Sequence, residues 1–292
     1  MSNQSPISDP YAYLNIVKNP DGSITRDLTN FPCVPATPDP SPLNPVVSKD
    51  VSVNESKSTW MRLYLPDVVS SAKLPLVVYY HGGGFVLCSV DLQVCDDFCS
   101  EMARDLNVIV ASPSNSDDEW IKSHADLSNV FLMGTSAGGN LVYNVGLRSG
   151  DLIPLQIRGL ILHHPFFGGE ERCGSEIELV NDQVCPPVVT DVFWDLCLPV
   201  GVDRDHEYSN PTVADGSEKF GRLRWKVLVS GGNGDPMIDR QRDVAKLMKK
   251  KGVEVVEQFT DGDAHGAEIF DPSKRKTLFV SIRDFISSSS AL

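Results

Sequence analysis

The sequence predicts an α/β fold: a mostly parallel, doubly wound central sheet flanked by helices. Three observations carry this. From Leu74 onward, short continuous aliphatic and β-branched runs recur at 74–80, 107–112, 129–133, 157–163, 225–230 and 253–259. Strands buried on both faces of a parallel sheet have this pattern. Between several of them lie helical periodicities, the clearest being Leu92, Cys95, Phe98, Met102 and Leu106, one apolar residue every three or four positions. Directly after the run Val130-Phe131-Leu132-Met133, the chain reads Gly134-Thr135-Ser136-Ala137-Gly138. That G-x-S-x-G pattern sits where a buried strand turns sharply into a helix.

Residues 1–45 are rich in Pro, Asp, Asn and Ser, so they cannot supply a central strand and form an N-terminal arm or lid. Within the arm, Asn19-Pro20-Asp21-Gly22-Ser23 between 14–17 and 24–26 predicts a small hairpin. Strand-like runs at 50–53 and 59–65 precede the parallel series. Helices are expected over 241–251 and 274–285, where apolar and charged positions alternate at helical spacing. The interval 168–222 is long, and its best helical piece is 188–196. An insertion of this kind caps the catalytic edge of an α/β sheet and lines its pocket. The whole chain is therefore expected to be one domain with an arm at 1–45 and a cap-like insertion at 168–222.

One interval is short. Only 113–128 separates two strands, and a parallel crossover wants a dozen or more residues including a helix. Pro113 and the polar run Asn115-Ser116-Asp117-Asp118-Glu119 leave room for about two helical turns, near 118–124. A crossover helix is expected to be shortened or missing, with apolar sheet surface left uncovered.

Composition narrows the function classes. A net charge of −13 over 292 residues excludes nucleic acid and anionic membrane as principal partners. No apolar run approaches the ~18 residues of a spanning helix. The N-terminus lacks the charged-then-apolar layout of a signal peptide. Seven cysteines without a C-x-x-C pair are expected to be buried thiols in a reducing compartment, so the expected location is the cytoplasm.

A serine attacks a carbonyl only when a base takes its proton and an acid orients that base. Of the histidines after Ser136, His163 and His164 end a buried run and have packing or supporting roles, and His206 lies in a polar turn. His265 follows the last strand, where a loop returns an imidazole over the sheet edge. Asp235 sits on the turn after the 225–230 strand. Its competitor, Asp239, opens a helix, where a carboxylate has a purely structural reason to be. His81-Gly82-Gly83-Gly84-Phe85 follows the 74–80 strand and exposes backbone amides. Gly83 and Gly84, with Ala137, can build a three-donor oxyanion hole.

Together, HGGGF, GTSAGGN, Gly-Asp-Pro-Met-Ile-Asp-Arg at 234–240 and Ala-His-Gly at 264–266 resemble the plant carboxylesterases of the hormone-sensitive-lipase group of α/β hydrolases. The resemblance runs from about residue 10 to the end. It implies Ser136 as nucleophile, His265 as base, Asp235 as acid and a small neutral carboxylic ester as substrate, without metal or organic cofactor. Isoflavanone dehydratases of the group carry Thr where this chain has Ser136, and gibberellin receptors lack the base histidine. The group also continues past Ser112-Pro113-Ser114 with a longer loop and helix that this chain lacks. Two further readings therefore stand beside the esterase: an inactive shortened variant, and a small-ligand receptor with residues 1–45 as its lid.

Overall fold

The computed structural model describes residues 7–29, 31–41, 45–67, 72–111, 118–148, 156–213 and 225–290. The chain enters through a one-turn helix α1 (Pro10–Tyr13), capped by the Asp9 carboxylate. An antiparallel hairpin follows, β1 (Ile16–Lys18) and β2 (Ile24–Arg26). Its turn is the Pro-Asp-Gly segment expected to form it, closed by Asn19 N–H donating to Ser23 O at 2.8 Å. The antiparallel pair β3 (Val46–Asn54) and β4 (Thr59–Pro66) then opens the main sheet, and β5 (Leu74–Tyr80) begins its parallel part. After β5 come α2 (Gln93–Leu106), β6 (Ile109–Ala111), α3 (Glu119–His124), β7 (Ala125–Thr135) and α4 (Ala137–Arg148). Next are β8 (Ile157–His163), α5 (Gly174–Glu178), α6 (Pro187–Cys197) and β9 (Lys226–Gly234). The chain closes with α7 (Ile238–Lys250), β10 (Val255–Ala264), α8 (Ala267–Phe270) and α9 (Pro272–Ser290).

Eight strands lie side by side in the order β10-β9-β8-β7-β5-β6-β4-β3. The β3–β4 and β4–β6 pairs are antiparallel, and the others are parallel. From β5 the chain steps to β6 on one side, then returns across β5 to β7 on the other. The loops leaving the carboxyl ends of β5 and β7 therefore diverge, and the crevice between them is where open α/β sheets bind ligands.

Successive side chains of each strand serve opposite faces. On one face, Leu76 and Val78 of β5 and Leu132 of β7 meet Ile121 of α3, Val142 and Tyr143 of α4, and Val244 and Met248 of α7. On the other, Val77, Tyr79, Phe131 and Met133 meet Phe98 and Met102 of α2 and Leu278, Phe279 and Ile282 of α9. The Phe98 and Phe279 rings lie 5.4 Å apart between the two helices.

Two expectations need correction. The short crossover does not strip the sheet: Leu76, Val78, Ile109, Ala111 and Leu132 are all buried. Six-residue α3, with Trp120 and Ile121 turned inward, covers them; residues 112–117 of the interval lie outside the described residues. An open apolar surface lies on the outer flank of α4. There Leu141 is 40% exposed and a groove of about 640 Å³ opens between Leu141, Val145 and Arg148 of α4 and Trp194, Leu198 and Tyr208 of the insertion. The cysteines are free thiols, but only Cys95, Cys99 and Cys185 are buried, while Cys33 and Cys197 are exposed.

Smaller differences have local causes. The 107–112 run yields only three strand residues, because Asn107 adopts the left-handed conformation (φ 54°) that ends α2. β10 continues through the acidic 261–264 segment, where a flexible loop was expected; past a register shift after Thr260, Ala264 pairs with Gly234 of β9.

Candidate active site

Ser136 stands at the junction of β7 and α4 with φ 57°, a strained value for a residue with a Cβ. Both sides of its backbone are anchored: its N–H donates to His163 O at 2.9 Å, and its carbonyl accepts from Phe166 N–H at 3.0 Å. So tight a turn leaves no room around it. A Cβ on Gly138 would lie 2.0 Å from the Tyr80 carbonyl oxygen, so the glycine there is a packing requirement.

The His81–Phe85 segment turns at the carboxyl end of β5, directly opposite. Gly82 packs on Ser136, an added Cβ falling 3.3 Å from the serine Cβ. Gly84 has φ 60°, and a Cβ there would meet the Phe193 ring at 2.5 Å. Among the described residues, the N–H groups of Gly83, Gly84 and Ala137 are committed to no backbone hydrogen bond. Ala137 is buried in the first turn of α4, where amides lack helical acceptors.

Asp235 follows β9 and is completely buried. Its Oδ2 accepts from His265 Nδ1 at 2.7 Å, from His164 Nδ1 at 2.8 Å and from Gln241 Nε2 at 2.8 Å; its Oδ1 accepts from Met237 N–H at 2.9 Å. Burial alone would raise this carboxyl, but the His265 charge and the hydrogen bonds from His164 and His265 hold it well below the usual range. Burial pushes His265 down, but the Asp235 charge outweighs it, with the Cys185 thiol adding to the effect, and the imidazole stands well above its ordinary 6.5. Asp239 is elsewhere: it opens α7 and accepts from Ser175 N–H of α5 at 2.8 Å.

Ser136 and His265 line one cavity of about 230 Å³. Its walls come from the arm (Leu14, Phe31), the glycine turn, and the insertion (Val184, Cys185, Phe193). His265 Nε2 is buried with no hydrogen-bond partner, and it makes no hydrogen bond to Ser136 Oγ. Catalytic contacts of this kind tighten when substrate binds. A stack of Phe85, Phe166 and Trp194, with Phe166 and Trp194 parallel and 4.6 Å apart, divides this cavity from the larger groove on α4.

Three participants escaped sequence reasoning. Gln241 and Glu268, in the first turns of α7 and α8, carry no motif, because which helix face meets the site is set only by the fold. Glu268 lies 3.3 Å from His163 Nε2 and His164 Nε2. His163, His164 and Glu268, and likewise His164, Asp235 and His265, are near enough to meet at one ion. In the second set Asp235 already accepts hydrogen bonds from both imidazoles, whereas Glu268 Oε2 and the two Nε2 atoms of the first are buried without a hydrogen bond. Cys185 reaches the cavity only through the folding of the insertion. His206 is remote, accepting from Tyr208 N–H within its own turn.

A serine on a strained strand-to-helix elbow, at the switch point of a sheet of this order, marks an α/β hydrolase. The chain belongs to the alpha/beta hydrolase fold family, whose profile matches residues 77–116 and 115–269, and within it to the plant carboxylesterases of the hormone-sensitive-lipase-like group. It is 71% identical to Carboxylesterase 20 of Arabidopsis thaliana, over 99% of each chain. It is 36% identical to 3-O-acetylpapaveroxine carboxylesterase CXE2 of Papaver somniferum, over 96% of this chain and 100% of that one. A hyperthermophilic esterase from Pyrobaculum calidifontis shares the fold at a TM-score of 0.68 and 24% identity, over 82% of this chain and 85% of that one. The family match breaks at 115–116. The alignment to Carboxylesterase 20 runs to 325 positions against 292 residues here, so a stretch of that relative has no counterpart in this chain.

Proposed function

We propose that this carboxylesterase hydrolyses small neutral carboxylic esters through an acyl-enzyme at Ser136. His265 takes the serine proton as Oγ attacks the ester carbonyl, and returns it to the departing alkoxide. Water then enters, loses its proton to His265, and releases the acid. Asp235 fixes the imidazole with Nε2 toward the cavity and stabilises its charged form. The amides of Gly83, Gly84 and Ala137 receive the oxyanion. No metal or organic cofactor is needed for these steps.

The observation that carries this reading is the 2.7 Å contact of His265 Nδ1 with Asp235, with His265 Nε2 left unpartnered at the cavity that Ser136 lines. A receptor would have no use for that pair, which favours the enzyme. Residues 1–45 act as an arm and 168–222 as a cap on a single domain, and both lend cavity walls. The cavity is small and apolar, which suits a short acyl group, and the poppy relative is named for an acetylated substrate. The acidic surface and free thiols fit an enzyme of the cytoplasm that takes uncharged substrates. Among the described residues no helix is long and apolar enough to cross a membrane.

The test is pre-steady-state hydrolysis of p-nitrophenyl acetate. A burst of p-nitrophenol stoichiometric with enzyme is expected, lost in Ser136→Ala with a fall of ~10⁴-fold or more in kcat. Equal turnover by that variant refutes the proposal.

A further inference from the structure

His164 takes no step in the acyl transfer just described, yet it touches the acid of that chemistry. It directly follows β8, wholly buried, with its ring 5.3 Å from the His265 ring. Its Nδ1 donates to Asp235 Oδ2 at 2.8 Å, the same oxygen that accepts from His265. On the opposite edge of the ring, its Nε2 lies 3.3 Å from Glu268 Oε2, an oxygen equally close to His163 Nε2 and hydrogen-bonded to neither. His164 is thus held between two buried carboxylates, one of them the partner of His265.

A neutral imidazole has one N–H and one lone pair. Nδ1 must carry a proton to bond Asp235. The Glu268 charge, 3.3 Å from Nε2, favours a second proton on that nitrogen, although the two atoms are not aligned as a hydrogen bond. Burial opposes the charge, but the hydrogen bond to Asp235 and the contact with Glu268 outweigh it and keep His164 above its ordinary value. Glu268 correspondingly stays ionised, below the usual carboxylate range, although burial pushes it up.

The surroundings do not supply a competing charge at this ring. His163, 4.6 Å away, bonds Ser230 Oγ through Nδ1, and burial pushes it below its ordinary value, so it is neutral. Arg275 gives its Nε–H to the Glu268 backbone and pairs with Glu101 of α2 through Nη1. Lys274 is paired with Asp263. Gln241 and Met237 add only neutral donors to Asp235. Cys185 borders His265, on the cavity side.

We infer that His164, flanked by Glu268, is a positioning residue that shares the Asp235 carboxylate with His265 and so weakens its hold on the His265 imidazolium. The inference rests on the proposed roles of Ser136, His265 and Asp235. A carboxylate serving one imidazole would grip its charged form harder and delay release of the proton. One serving two leaves His265 free to act as base at lower pH.

The test is the pH profile of kcat/KM for p-nitrophenyl acetate in the wild type, His164→Gln, Glu268→Gln and Glu268→Asp. Both Gln variants are expected to move the acid limb up by about one pH unit, a tenfold change in proton affinity, and Glu268→Asp to restore most of it. A limb that stays in place in folded, active Gln variants overturns the inference, because a residue that merely fills space changes rate or stability without moving the limb. Should the Gln variants not fold, ¹⁵N-histidine NMR of the wild type decides: a His164 ring that keeps both protons to higher pH than a free histidine supports the inference, and one that loses a proton at or below the ordinary value overturns it. Failure of fluorophosphonate to label wild-type Ser136 would refute the acyl-transfer reading instead, and the NMR result would still judge His164.

Discussion

Ser136 keeps its left-handed backbone because its amide, its carbonyl and both flanking turns are fixed by neighbours, so strain is stored at the atom that must stay exposed to a substrate. Gly138→Ala would set a methyl against the Tyr80 carbonyl at 2.0 Å, and no side-chain rotation relieves a backbone contact. The expected cost is about 3 kcal/mol or more of stability, read by denaturant unfolding. Gly84→Ala tests the facing turn: its methyl would strike Phe193 and its φ of 60° would be strained, so we expect kcat to fall by ~10²–10³-fold as the amides shift. The elbow, the His-Gly-Gly-Gly turn, Asp235 and His265 were legible in the sequence because each follows a strand at fixed chain order. Glu268 and Gln241 were not, because although they follow His265 and Asp235 closely in the chain, the direction in which each helix start turns its side chains is set by packing and not by spacing.

At the scale of elements, the decisive feature is the six-residue crossover α3. Its shortness was readable from spacing, and the broken family match falls at the same place. Its structural consequence was not readable. The strands stay buried against Val142 of α4 and Val244 of α7 as well as Ile121 and Trp120 of α3. Grafting the corresponding segment of Carboxylesterase 20 between 111 and 118 should restore a longer crossover helix; burying roughly 100–200 Å² more apolar surface would contribute about 3–5 kcal/mol. We expect Tm to rise by about 5–10 °C, as measured by calorimetry. Strand boundaries were the least legible part: β7 and β10 are longer than their apolar runs, because neighbouring strands recruit polar residues into the ladder.

Across the whole molecule, five buried titratable groups beneath one sheet edge tie stability to pH. His164 and His265 stand above their ordinary 6.5, so their contribution is complete below that value and is lost as pH rises through their folded values. Asp235 and Glu268 stand below theirs, so their contribution persists at neutral pH and is lost only in acid. His163 is lowered, and its smaller contribution is present above 6.5 and fades as pH falls. Denaturant stability is therefore expected to decline as pH rises above 6.5, and to decline less steeply in His164→Gln; an identical slope in the two proteins would contradict this account of the network. The single-domain α/β architecture was evident from the alternation of runs, whereas the sharing of one carboxylate by two histidines exists only in three dimensions. All of this serves one serine. Reaction of the purified full chain with a fluorophosphonate probe, followed by peptide mass spectrometry, tests that most directly. The account predicts stoichiometric modification at Ser136 that disappears in His265→Ala; a folded protein left unmodified at Ser136 would contradict it.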